Sequence, residues 1–433
     1  MKTSRKRLDL TINHKDPGEV VLDFGATAIT GINAIALDKL RDAYGLPKQM
    51  IKVHEPFQLL GMVEEDLRQT LGVDVVEIND GYNMFGFKND NWKPWWMTKD
   101  LQVLVPRDFN VTVDENDGTT YIYPQGDMSA PPSGKLPKDG YYFDNCFRTY
   151  KEYDEDTSNG AEDYRDDFSV FTDEKLRHIE NTCNHYYNNT DYGIVAGGCI
   201  CSLGDFAVIP GPGVKYPKGI RFLEDWICAP YEAPDYVHEV FSYQTEIALK
   251  NCELFRQACG DKIQVIEVSG YDLGTQRGPY IMTDTYREFY YPYLKKVNDW
   301  VHKNTNWKTF YHTCGSIVEF LPILHEMGVD ILNPVQCSAE GMDPKFLKET
   351  WGDKFTFWGA GVDTQKTLPF STPEEVYEEV MQRLEVFAPG GGFVFNAIHN
   401  VQGPTTAKNL MSMFNAIKDY NAKINLRGSE DAE

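Results

Sequence analysis

The sequence predicts an α/β protein whose parallel strands and crossover helices close into a (β/α)8 barrel with an N-terminal extension and loop insertions. Two observations carry this: short apolar runs alternate with helix-period segments through the second half, and the chain carries no dinucleotide or mononucleotide phosphate loop. The five runs Ile263 to Val268, Trp307 to Tyr311, Val329 to Leu332, Phe355 to Trp358 and Gly392 to Phe395 read as strands, each separated by enough chain for a helix. Such a repeat suits a closed barrel or an open doubly wound sheet. No GxGxxG or GxxxxGK[ST] follows any strand, which favours the barrel.

Between these runs the helices announce their starts. Thr372, Pro373 and Glu375 supply an N-cap, a first-turn proline and a capping acid, and Val376, Val380, Leu384 and Phe387 recur on one face before Gly390-Gly391-Gly392. Ser316 with Glu319 fits a capping box in the same way. The first half is less regular, with strands expected at Val20 to Phe24, Val73 to Ile78 and Ile194 to Ala196. Residues 107–167 read as an insertion in a single domain spanning 1–433; their turn-rich and acidic stretches resemble solvated loops, and a lid is the alternative to a plain surface excursion.

Composition narrows the function classes. With 42 basic against 65 acidic side chains the net charge is -23, which repels nucleic-acid phosphates and anionic lipid surfaces. No run of about 18 apolar residues and no leader-like apolar core follows the basic N-terminus, so a cytosolic protein without a membrane span is expected. Nine scattered cysteines, an odd number, suit reduced thiols. A homodimer is left open.

The chemistry concentrates at Phe310-Tyr311-His312-Thr313-Cys314-Gly315, where an apolar strand runs into a histidine and a cysteine two residues apart. In a barrel this is the rim where active sites sit, and imidazole with thiolate is a zinc-favouring pair. A small buried cysteine beside a hydrogen-bonded histidine has the same spacing. The third ligand is expected to be His399, just past the last strand, with Cys337 after Asn333-Pro334-Val335-Gln336 as its competitor. Three protein ligands leave the open position a catalytic zinc needs. Asp272 and Asp363 are rim carboxylates suited to catalysis or to loop ordering, and Tyr271 and Gln276 are candidates for substrate contact. The pair Cys199 and Cys201 lacks nearby histidines and reads as packing.

These residues together resemble the uroporphyrinogen decarboxylase superfamily, and within it the corrinoid-dependent methyltransferases. The resemblance covers most of the chain: Arg5-Lys6-Arg7 with Asn13-His14-Lys15 and Pro17, the Asp272 to Gln276 stretch, His312-Thr313-Cys314-Gly315 and Gly361-Val362-Asp363. It implies a zinc site built from the HxC pair and a later cysteine; the segment from His399 to Leu410 aligns with the one that begins with that cysteine, and this chain has histidine there. It also implies a partner protein carrying a corrinoid (cobalamin), a small methylated substrate, and zinc acting as a Lewis acid. Two directions follow, O-demethylation of a methoxylated donor, which the aromatic-rich first half favours, and methyl transfer from cobalt to an acceptor thiol. The arginine-rich substrate motif of the decarboxylases is missing, which weighs against a lyase of that type. A zinc hydrolase, with Asp272 or Asp363 as base, and a closed structural zinc site are the rival classes.

Overall fold

In a computed structural model that describes residues 2–430, with side chains through residue 426, eight parallel strands form a nearly closed barrel flanked by helices. In chain order they are β1 (Val21–Leu22), β2 (Val75–Ile78), β3 (Gly193–Ala196), β4 (Val265–Ser269), β5 (Lys308–His312), β6 (Ile331–Asn333), β7 (Thr356–Trp358) and β8 (Phe393–Phe395). Each pairs with its successor from β2 to β8, and β8 pairs with β1. The remaining seam, between β1 and β2, is drawn together by Asp74. Its N–H donates to the Leu22 carbonyl at 2.8 Å, and its carboxylate accepts from the Leu22 N–H at 2.9 Å.

All eight expected strands form, shifted by a residue or two at their ends, because hydrogen-bond pairing, not hydrophobicity, sets where a strand stops. Helices occupy every crossover, among them Asp173–Asn189, Pro234–Cys259, Tyr291–Asn304 and Pro373–Phe387. The last begins in the expected capping box, Thr372 with Glu375, and buries Val376, Val380, Leu384 and Phe387. The expected cap at Ser316 does not form. Gly315 takes φ +87°, the Ser316 hydroxyl donates to the Glu340 carbonyl at 2.7 Å, and a 3-10 turn leads into Leu321–Glu326, whose first turn holds Pro322.

Inside the barrel each strand contributes one side chain to a packed layer: Val21, Val75, Val195, Val265, Phe310, Ile331, Trp358 and Val394. Leu8 and Ile12, in and just after the N-terminal helix Ser4–Thr11, plug the end where the strands start. Arg7 of that helix pairs with Asp74 at the seam. Because strand side chains alternate, the next inward positions lie two residues on, and there the interior turns polar: Asp23, Glu77, Glu267, His312, Asn333 and Asn396.

Within residues 107–167, where solvated loops were expected, a small antiparallel sheet joins Val111–Val113, Thr120–Ile122, Gly134–Leu136 and Asp144–Asn145. Its apolar residues Ile122 and Leu136 are buried, and Phe143 packs edge-on against Phe85 and Phe109 at 6.0 and 6.2 Å. Paired aromatic burial of this kind offsets the polarity of the turns around it.

Candidate metal centre

The end of β5 is shaped by a clasp between two loops. The backbone N–H groups of Leu273 and Gly274 donate to the Thr313 hydroxyl and the Cys314 carbonyl, at 2.9 and 3.2 Å, and the Ser316 N–H donates to the Thr275 carbonyl at 2.7 Å. A Cβ on Gly315 would lie 2.1 Å from the Gly274 carbonyl oxygen, so the clasp requires glycine there. The Asp272–Gln276 stretch and the HxC turn are therefore one structural unit. Asp272 completes it, its Oδ1 accepting the Cys314 N–H at 2.7 Å and standing 4.0 Å from His312 Nε2.

At this turn His312, Cys314 and His399 converge. One ligand atom from each lies within 4.8 Å of the others, an arrangement that can hold a metal ion. His312 Nε2 and Cys314 Sγ are 3.6 Å apart, and the two imidazole rings meet edge-on at 5.8 Å. The histidine tautomer is set from behind. Asn333 spends its amide N–H on the Trp358 carbonyl at 3.1 Å, so its Oδ1, 2.6 Å from His312 Nδ1, is the acceptor and Nδ1 the donor. That leaves the Nε2 lone pair facing Cys314, as a ligand requires. Replacing Asn333 with leucine is expected to weaken metal affinity roughly 10- to 100-fold while the folded protein persists, read by competition with a chromophoric chelator.

Burial holds the His399 imidazole neutral, lowering its pKa to about 4 with His312 adding to the effect. Burial likewise pushes the Cys314 thiol well above its ordinary range, Asp272 adding to the shift. Three donors, two nitrogens and one sulfur, match the preference of zinc and leave a position open.

The other expected residues lie in different surroundings. Cys337 is not in the converging group; its Sγ rests 3.5 Å from the Val335 carbonyl, and Arg383, Glu379 and Asp343 are its charged neighbours. Asp363 uses Oδ1 to accept the N–H groups of Gln365 and Lys366, at 2.7 and 2.8 Å, which caps the turn after β7. Gln276 donates to Gln365 at 2.8 Å on the surface, bridging that turn to the clasp. Tyr271 is buried in an aromatic stack, 4.6 Å from Tyr290 and edge-on to Phe206.

Sequence reasoning passed over the acids beneath the metal group. Burial raises the carboxyl of Asp23 to about 7, Glu77 to about 8 and Asp205 to about 7, and it raises Glu267 as well. The surrounding charges that act on Glu77 are Glu267, Asp23 and Asp80, all acidic, and Glu267 accepts the N–H groups of Gly198 and Cys199. A layer of buried acids beside the metal group is suited to a neighbouring divalent cation, which would favour their charged forms. The signal was present in the sequence, a lone acid inside each of the apolar runs Val75-Val76-Glu77-Ile78 and Val265-Ile266-Glu267-Val268.

These acids set a pH dependence of stability. Glu77 keeps its proton to about 8 when folded but releases it near 4.5 when unfolded, so across that window the folded chain binds more protons. Stability from this group is complete below the window and is lost as pH rises through it. The melting temperature of metal-free protein is therefore expected to fall between about pH 5 and 8, and Glu77→Gln to flatten the slope.

Residues 218–420 match the model of the family described as Uroporphyrinogen decarboxylase (URO-D). That stretch contains Asp272, His312, Cys314 and His399, and β1, β2 and β3 lie outside it. A methyltransferase from Methanosarcina mazei shares the fold with a TM-score of 0.55 and 15% sequence identity, over 97% of this chain and 99% of that one. None of the curated proteins matches the sequence. Among the described residues no helix is long and apolar enough to cross a membrane.

Proposed function

We propose that the protein is a zinc-dependent methyltransferase that moves a methyl group between a small methylated, preferably methoxylated, compound and a corrinoid carried by a partner protein. The observation that carries this reading is the convergence of His312, Cys314 and His399 at the C-terminal rim of the barrel, where among the described residues these three donors lie within 4.8 Å of one another. The family match around these residues and the fold shared with a protein named as a methyltransferase support it.

When bound, zinc supplies Lewis acidity to a substrate oxygen or sulfur. The chain's residues do the rest. Asn333 fixes the His312 tautomer, and Asp272 anchors the Cys314 turn while placing a carboxylate 4.0 Å from the ligand nitrogen. Partly exposed and next to the metal group, Asp272 is placed to exchange a proton with a leaving alkoxide or an incoming thiol. Asp363 and Gln276 shape the neighbouring turn, and the stack of Tyr271, Tyr290 and Phe206 forms a rigid wall beside the clasp.

The test combines zinc-loaded protein with cob(I)alamin and a panel of methoxylated compounds, and with methylcobalamin and small thiols, following the corrinoid spectrum. Zinc-dependent formation or consumption of methylcobalamin that disappears in Cys314→Ala is the expected result. No transfer in either direction across both panels, with a full complement of metal, contradicts the proposal.

A further inference from the structure

The β1–β2 seam is flanked by a cavity of about 270 Å³, large enough for on the order of ten water molecules. Its wall includes Ala26 beyond β1, Glu77 of β2, Asn79 just after that strand, and His54, Arg68 and His178 from outside the barrel. No member of the metal group lines it. His178 is exposed to solvent, whereas Glu77 is only partly accessible and lies deep. His54 carries a buried Nε2 without a hydrogen-bond partner, and burial lowers its pKa to about 4, so a neutral imidazole faces this space.

On its inner side Glu77 approaches Glu267 across Gly197-Gly198. A Cβ on Gly197 would lie 1.8 Å from Glu77 Oε1, so the glycine makes room for that carboxyl. The next residue's N–H, from Gly198, donates to Glu267 Oε2 at 2.7 Å, joined by that of Cys199 at 3.2 Å. Glu267 Oε1 is buried without a partner. Glu77 is held on its other oxygen by the Asn79 amide at 2.7 Å, and the charged groups around it are Glu267, Asp23 and Asp80. Neither carboxyl has an ion-pair partner among the described residues, although Arg68, His178, Glu64 and Tyr186 share the cavity wall with Glu77; Glu77 on β2 and Glu267 on β4 face each other across the glycines that follow β3, and β5, which ends in His312, is the next strand.

We infer that Glu77 and Glu267 are a proton relay, and that the seam cavity connects the metal group to solvent by a path separate from the barrel mouth. The inference rests on the function proposed above. Breaking an O–CH3 bond and forming a Co–CH3 bond on cobalt(I) leaves an alkoxide that takes up one proton; forming an S–CH3 bond from methyl-cobalt and a thiol returns cobalt(I) and releases one. In either direction the substrate and the corrinoid domain cover the mouth while the proton must cross to water. The relay supplies that route, and both residues act through the group at the mouth as positioning residues.

The experiment uses the full zinc-loaded chain. Infrared difference spectra identify the Glu77 carboxyl as the band lost in Glu77→Gln, and stopped-flow mixing into D2O times its exchange. Exchange through the seam is expected to be fast in wild type and to slow in Ala26→Phe, which narrows the cavity, leaves Glu77 and Glu267 in place and keeps the backbone N–H that Ala26 gives to Asp23. In parallel, methyl transfer from methylcobalamin to 2-mercaptoethanol is followed with an indicator dye that counts released protons. Glu77→Gln is expected to slow proton release by about 10²-fold, shift the pH profile and raise the solvent isotope effect, with zinc content unchanged. Wild-type exchange in Ala26→Phe together with a wild-type pH profile in Glu77→Gln overturns the relay. If wild type moves no methyl group, the proposed function fails, and the exchange experiment decides the seam route alone: slowed exchange in Ala26→Phe upholds it, unchanged exchange rejects it.

Discussion

Cys314→Ala is expected to purify folded and without bound zinc, where wild type holds about one ion per chain. The thiolate is the single sulfur in the converging group, and the two imidazoles that remain cannot replace its charge. His312→Ala is expected to behave alike, with the added loss of the Asn333 hydrogen bond. Loss of a direct ligand should exceed the roughly 10- to 100-fold penalty of disturbing a supporting hydrogen bond. The informative comparison is His399→Ala against Cys337→Ala. His399 lies within 4.8 Å of its partners and Cys337 is outside the group, so the first should lose the ion and the second keep it. Metal analysis of the four variants, each checked for a native circular dichroism spectrum, decides this.

Arg221→Met is expected to destabilise the fold by about 3–5 kcal/mol, because it strands a buried carboxylate. The Arg221 side chain is 0% exposed and its partner Asp167 is 2% exposed. Its Nε donates to the Lys218 carbonyl, Nη1 to Ile209 and Asp167, and Nη2 to Asp163 and Asp167, at 2.7 to 3.1 Å. Those bonds occupy every N–H the guanidinium has, and its Cζ lies 3.9 Å from the Tyr164 ring centre. The residue thus ties the chain around 163–167 to the approach to helix Leu223–Glu232. Lysine in its place is expected to recover little, having no fork to bind both oxygens. The double variant Arg221→Met with Asp167→Leu should recover much of the loss, since an apolar pair removes the stranded charge. Urea unfolding midpoints measure all three.

The barrel was legible in the sequence because its strands are buried on both faces, which writes each as an apolar run, Val329 to Leu332 or Phe355 to Trp358. His312 and Cys314 stood out as polar residues at the end of such a run. Their meeting with His399 depends on closure of the sheet, which brings β5 and β8 ends to one mouth from positions 87 residues apart in the chain, the difference between 399 and 312. Glu77 and Glu267 were passed over because one acid in an apolar strand has no local partner to mark it; their significance comes from strands β2, β3 and β4 lying side by side. The Cys199-x-Cys201 pair shows the converse. Its spacing drew notice, yet the contribution of Cys199 to the centre is a backbone N–H given to Glu267. Ser316 failed as a helix cap for a tertiary reason, since its hydroxyl is committed to the Glu340 carbonyl.

X-ray absorption at the zinc edge of the purified, zinc-loaded protein tests the metal centre most directly. The account predicts one sulfur at about 2.3 Å and two imidazole nitrogens at about 2.0–2.1 Å, with one further light-atom ligand from solvent at the open position. Two sulfurs in the shell, or none, would contradict it.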